Sequence, residues 1–421
     1  MAHFATWFRN EFSNPKANIF AGLTVAVVAL PLALAFGVTS GLGASSGLVT
    51  AVLAGAIAAM FGGSRWQVSG PTGAMTVVLL PIFASHGTQG VLVTGFLAGL
   101  ILTAAWLLRI GRHVHKIPTA IIEGFTAGIA IVIAMQQIPN ALDVASPAGG
   151  AVWYRTVLAI GEFNPNSWQP LVFALATTAL VFTLERFAPR VPAVLMATVI
   201  ATLGSLASTD ALPRIGKLPG LLSAPSSSFL TAVDFTPLAP AALAVATLAA
   251  LESLLSAKIA DKLAGASERH NSDRELLGQG LANLVVPFFG GVPATAALAR
   301  TAVNVRAGAT GRAAALFHSV FLAAIVLAAP LLVGYIPLAV LAGVLFATCY
   351  RMIKFHELIE LARESRLDAV LLIATFVVTI AFDLITAVLV GLALFIALRK
   401  TRLANVDRRY PPVDTKERLG D

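Results

Sequence analysis

The chain has 421 residues, of which 57% are hydrophobic and 12% charged, with a net charge of +8 and a mean hydropathy of +0.84. A soluble globular protein carries about 25% charged residues, so this composition excludes a soluble domain and implies a polytopic membrane protein. The charges stand singly in apolar sequence, which excludes a nucleic-acid partner. The single cysteine, Cys349, excludes an intramolecular disulfide and a cysteine-based metal or redox site.

In chain order, residues 1–17 read as a cytoplasmic segment that includes a short interfacial helix over 3–16. Residues 17–64 and 66–108 contain no Asp, Glu, Lys or Arg. A span needs about 20 apolar residues, so each stretch holds two or more. The first apolar run, from Asn18 to Phe36, is too long for a signal peptide and reads as a true span. Fourteen spans are predicted, near 18–38, 46–62, 71–84, 89–109, 118–138, 168–187, 191–208, 237–261, 272–289, 293–306, 312–333, 335–350, 367–382 and 383–399. The third and tenth are too short to cross alone. Residues 139–167 and 209–236, rich in Pro, Ser, Asn and Gly, read as extracytoplasmic surface loops. Residues 401–421 read as a polar cytoplasmic tail.

Charge supports this count. With the N-terminus inside, nearly all Lys and Arg fall in inside segments. Only Arg155, Arg214 and Lys217 fall outside, and Arg300 alone lies within a span. The predicted location is therefore a bacterial inner membrane, with both termini cytoplasmic.

A repeat emerges from the same pass. Met60-Phe-Gly-Gly63 precedes one broken segment, Val68-Ser-Gly-Pro71-Thr-Gly73. Phe288-Phe-Gly-Gly291 precedes another, Val292-Pro293-Ala-Thr295-Ala296. The marks lie 228 residues apart, from Phe61 to Phe289. Residues 18–208 and 237–400 then form two seven-span copies, and an odd number of spans inverts the second copy. Pro/Gly-broken short spans in corresponding places point to a transporter binding site.

The site chemistry follows from the helix ends. A helix N-terminus carries about half a positive charge and unpaired N–H groups, so two facing ones make an anion site. Pro71 and Pro293 suit the first helical turn, and Gly70, Gly73, Gly290 and Gly291 admit close backbone approach. Thr72 and Thr295 offer matching hydroxyls. Arg300, seven residues beyond Pro293, is placed about 10 Å along its helix, where it either faces the cavity or anchors the helix end. Glu252, in an otherwise apolar span, shares a helix face with Ser256 and can carry a proton or bind Na⁺. Few other oxygen ligands lie near it, which favours the proton. His86, His318 and His356 show no metal spacing, and no cofactor is implied. No Walker motif is present, so the transport expected is secondary.

The runs Glu252-Ser-Leu-Leu-Ser-Ala-Lys-Ile-Ala-Asp261, Asn271-Ser-Asp-Arg-Glu-Leu-Leu-Gly-Gln-Gly280, Gly290-Gly-Val-Pro293 and Ala299-Arg-Thr-Ala-Val-Asn-Val-Arg-Ala-Gly308 resemble the sulfate permease (SulP) family of anion transporters. So do Ala21-Gly-Leu-Thr in the first span and Ser69-Gly-Pro-Thr-Gly73 in the third, and the likeness is strongest to bacterial bicarbonate and dicarboxylate members. The resemblance implies an all-α fold of two inverted repeats, with a core of spans 1–4 and 8–11 and a gate of spans 5–7 and 12–14. It implies elevator-like transport of a small anion that Ala35 and Phe36 also contact from the first span. The anion expected is a dicarboxylate first, then bicarbonate, then sulfate, held by Thr72, Gly73, Ala294, Thr295, Ala296 and Arg300. Arg300 matches a basic position that bears on anion binding in the family's motor protein prestin. Glu252 and Ser256 fall where sodium-coupled members place an aspartate and a threonine, a departure that favours H⁺ symport. Na⁺-coupled bicarbonate uptake, an uncoupled channel and a nucleobase permease of the same architecture are the alternatives. Family members commonly continue into a cytoplasmic STAS domain, which would begin near 401–421 and supports a homodimer.

Overall fold

A computed structural model of the chain describes residues 11, 14–116, 118–145, 150–189, 191–208, 212–218, 224–232, 234–266, 269–382 and 384–398. The predicted interfacial helix over 3–16 and the tail over 401–421 therefore lie wholly or largely outside the described residues. The chain divides into two units. One takes residues 1–115 and 132–350, and the other takes 116–131 and 351–421.

The described residues are predominantly helical, as their composition requires in a bilayer, where the backbone must bond to itself. In the first unit, α1 (Pro15–Thr39) starts at the side chain of Asn14, which accepts from Ala17 N at 3.3 Å, with Pro15 in its first turn. Then come α2 (Ala44–Phe61), the two-residue strand β1 (Ser69–Gly70) and α3 (Gly73–Leu107). Spans predicted separately at 71–84 and 89–109 both fall within α3. Gly87, at φ 62° and ψ −163°, breaks the helix between them, a conformation that only glycine adopts without strain. The series continues through α4 (Thr119–Leu142), α5 (Val152–Gly161), α6 (Gln169–Phe187), α7 (Ala193–Leu206), α8 (Phe229–Ala232), α9 (Ala239–Leu263), α10 (Ser272–Val285), strand β2 (Thr295–Ala296), α11 (Leu298–Arg306), α12 (Ala313–Ala328), α13 (Pro330–Gly334) and α14 (Leu338–Met352).

Helix α3 packs on α10 and α9, and α12 packs on α1 and α2. Helix α10 also packs on α2, where Ala54, Ala282, Val286 and Ala294 form one buried cluster. Helix α5 lies where the sequence suggests only a loop. Its ten residues are too few to read as a span.

The second unit holds the start of α4 with α15 (Phe355–Glu364), α16 (Arg366–Ala381) and α17 (Leu384–Leu398). Ala120 and Ile121 pack against Leu367 and Leu371. Lys354 Nζ lies 2.9 Å from Glu357 and 3.6 Å from Glu123. Across the described residues, seven helices are long and apolar enough to cross a membrane.

Candidate anion-binding site

Two short segments stay out of the helical region for different reasons. Pro71 disfavours helix in the residue before it, Gly70, while the stretch after Pro293 is held extended by Asn283 at Ala294 and by Ser253 at Ala296. The segments pair: Ser69 lies opposite Ala296 and Gly70 opposite Thr295 in an antiparallel ladder. Ala297 N extends it by donating to Val68 O at 3.0 Å. Helix α3 begins at Gly73, two residues after Pro71, and α11 begins at Leu298, five residues after Pro293. This corrects the expectation that both prolines lie in a first helical turn. They lie in the extended approaches. It also moves Arg300. The arginine is the third residue of α11 and belongs to its first turn, not about 10 Å along.

Polar side chains fix the ladder from behind. Glu275, Gln279 and Asn283 repeat every four residues on α10, so they share one face. Glu275 Oε2 accepts from Gly63 N at 2.9 Å and Ser64 N at 3.0 Å, which ties down the Phe-Gly-Gly turn. Gln279 Nε2 donates to Ser69 Oγ at 2.8 Å. Asn283 accepts from Ala294 N at 2.8 Å and donates to Ala294 O at 2.9 Å. Thr50 Oγ1 donates to Val292 O at 2.8 Å. All of these side chains are buried.

The helix starts are open. Thr72 and Ala297 stand at the N-cap positions, and neither side chain caps its helix. The first-turn amides of α3 and α11 thus keep their partial positive charge. Thr72 Oγ1 turns away to donate to Glu252 Oε2 at 3.1 Å. Glu252, from the middle of α9, is only partly buried. Arg300 is 1% exposed. Its Nη2 donates to Pro71 O, its Nη1 is buried without a partner, and its charge reaches Glu252. Gly70 makes room for it, because a Cβ there would overlap Nη1. Phe36 is buried on α1, with its ring edge 3.0 Å from where a Cβ on Gly73 would stand, and Ala35 is buried beside it in sequence.

The structure thus brings Phe36, Thr72, Gly73, Glu252 and Arg300 together around the two helix starts. Three expected contributions are already engaged. Ala294 N–H is held by Asn283. Ala296 N–H donates to Ser253 Oγ at 3.2 Å. Thr295 Oγ1 lies 2.9 Å from Ser253 Oγ and donates to Ala249 O at 3.2 Å. Ser256 shares Glu252's helix but not its carboxylate, and its Oγ donates to Thr301 Oγ1 at 3.3 Å. Sequence reasoning placed Ser253 beside Glu252 without a role and missed the polar row on α10. That row was findable from polar residues at four-residue spacing. The contacts of Ser253 had no such signal.

Residues 16–375 match the pattern of the sulfate permease family. The chain is 35% identical over 402 residues to the "Putative sulfate transporter YvdB" of Bacillus subtilis (strain 168), covering 93% of this chain and 75% of that protein. It is 34% identical over 413 residues to the "Bicarbonate transporter BicA" of Picosynechococcus sp., covering 94% and 72%. Its structure overlays on the transmembrane domain of a cyanobacterial bicarbonate transporter BicA with a TM-score of 0.77 and 33% identity, covering 90% of this chain and 98% of that one. The overlay on SLC26A9, at 17% identity and a TM-score of 0.81 over 91% and 64%, shows a shared fold alone. On this match over most of its length, with a ladder-held pair of helix starts at its centre, the chain belongs to the sulfate permease family.

Proposed function

We propose that the protein is a secondary active transporter of a small anion, coupled to H⁺, in the inner membrane of a bacterium. The observation that carries this reading is the β1–β2 ladder. It turns the uncapped N-termini of α3 and α11 toward one place, with Arg300 and Glu252 beside them. An anion there is held by the first-turn amides of both helices and by the field of Arg300, against a wall of Ala35 and Phe36. Thr72 and Gly73 shape the first half of the site. Ala294, Thr295 and Ala296 shape the second half through the ladder rather than through free amides. Two inverted seven-span repeats, a core moving against a gate, and short half-spans at 71–84 and 293–306 complete the reading.

Glu252 is the coupling residue. With Glu252 ionised, it and Arg300 cancel. With Glu252 protonated, the arginine's charge is left for the anion, so proton and anion favour each other's binding. Ser256 completes the coupling pair as a neighbour on α9. Dicarboxylates such as fumarate are the first substrate candidates, and the relatives named for bicarbonate and sulfate supply the second and third.

The test is internal pH in liposomes holding the purified protein, with fumarate, bicarbonate and sulfate added in turn, with and without Na⁺. Acidification that needs one anion, needs no Na⁺ and is lost in Glu252→Gln is the expected result. A strict Na⁺ requirement would move Glu252 to a sodium site. Anion flux that carries no proton in the unaltered protein would overturn the symport.

A further inference from the structure

A buried polar seam leaves the candidate site between α9 and α11. Ser253 and Ser256 are three apart on α9, and Thr301 and Asn304 are three apart on α11, so each pair lies along one helix face. Gln67 and Trp66, on the approach to β1, close the seam on a third side. Ser256 Oγ donates to Thr301 Oγ1, which also accepts from Val68 N at 3.2 Å. Gln67 Nε2 donates to Ser253 O, and Asn304 Nδ2 donates to Trp66 O at 2.8 Å. Ser253, Thr301 and Asn304 have no exposed surface, and Ser256 has 1%.

Two acceptors in the seam stay unpaired. Gln67 Oε1 and Asn304 Oδ1 are buried without a hydrogen-bond partner. A buried unpaired polar group costs about 1–3 kcal/mol, and such groups ordinarily meet internal water. The seam also has direction. Glu252 is at one end, a turn from Ser256. Trp66 is at the other, next to Arg65, whose side chain is 41% exposed. Lys258 and Arg306 lie toward that same end. Under the positive-inside expectation it is the cytoplasmic end.

We propose that this seam is the inner proton exit of the carrier: a short water file, held by Gln67, Ser256, Thr301 and Asn304, that takes the coupling proton from Glu252 to the cytoplasmic face. The idea rests on the symport reading above. Hydroxyls can donate and accept at once, so Ser256 and Thr301 pass a proton along the file, while the two amide oxygens hold its waters. The ionisable groups around Glu252 are few. Arg300 reaches it from α11, and His318 from α12 lies within reach of Arg300's charge. Glu275 on α10 is bound to the turn at Gly63 and Ser64. Residues 73–85 of α3 carry no Asp, Glu, Lys or Arg, and α9 itself adds Lys258, Asp261 and Lys262 only beyond Ser256. A separate exit lets the proton leave without sharing the anion's path.

The test compares two modes of the same reconstituted full chain, using labelled fumarate or labelled sulfate, whichever acidifies liposomes bearing the unaltered protein. Net uptake driven by a proton gradient requires proton release in every cycle. Exchange of labelled for unlabelled anion at equal pH does not, because the loaded carrier shuttles with Glu252 still protonated. Thr301→Val and Asn304→Leu are expected to slow net uptake about 100-fold, the low end of what a positioned proton donor or acceptor contributes, and to leave exchange unchanged. Thr301→Ser is expected to restore uptake. Equal loss of uptake and exchange would make the seam structural, and unaltered uptake in both variants would remove it from the proton's path. Absence of proton coupling in the unaltered protein is a different failure. It sinks the symport reading before any seam variant is measured.

Discussion

The two strand-to-helix arms that meet at the site share a backbone design and differ in chemistry. The first, β1 into α3, contains no charged residue and narrows to Gly70, Pro71, Thr72 and Gly73. The second, β2 into α11, packs Arg300, Thr301, Asn304 and Arg306 into nine helical residues. One arm is small so that the other can be charged. Gly70 has no Cβ because Arg300 occupies that space, and Pro71 turns its carbonyl to the guanidinium. In the proposed site, matched helix starts set the place for an anion, and the unmatched arginine sets how strongly that place attracts it.

Four measurements would break or sharpen that contrast. The largest effect is expected where the second arm loses its clamp. Asn283→Leu keeps the size of the side chain but strands the N–H and C=O of Ala294, costing about 3 kcal/mol, which a lower melting temperature in detergent would report. An unchanged melting point would mean that the ladder does not depend on its clamp. Next is the charged arm. Arg300→Ala is expected to weaken anion binding by about 2 kcal/mol, or roughly 30-fold in affinity, and Arg300→Lys to recover part of that, since a lysine keeps charge but not the planar fork. Equal affinity in all three proteins would take Arg300 out of the field at the site.

The third measurement couples the arms. Gly70→Ala should cost about 1–2 kcal/mol of binding by displacing the guanidinium, and should cost almost nothing in an Arg300→Ala background. Additive losses would show that Gly70 serves something other than the arginine. The smallest effect is expected from Thr72→Val, which removes one hydrogen bond to Glu252. A shift of about 1 kcal/mol in anion affinity at fixed pH is expected. A shift of the size expected for Arg300→Ala would instead make Thr72 a principal ligand.

Much of the helical architecture was readable because apolar runs and charge placement obey the bilayer's demands directly. Glu252 was readable for the same reason, as an acid where acids are costly. The ladder was not. Two residues per strand carry no alternating pattern, and the Ala-rich stretch after Pro293 reads as helix until Asn283 and Ser253 are seen holding it extended. That error also displaced Arg300 by more than a turn. Helix α15, Phe355–Glu364, is amphipathic rather than apolar, so a search for spans passed over it.

The ladder also carries a consequence for biosynthesis. Ser69 pairs with Ala296, 227 residues further on, and Glu275 closes the turn at Gly63 from a similar separation. Contacts this remote in sequence form late, after the loop between them has been made and inserted. During synthesis β1 is therefore an unpaired edge in a half-built protein, and the first helix start has no counterpart. The paired helix starts come into being in one step, when the chain through α11 has entered the membrane and the second arm docks on the first.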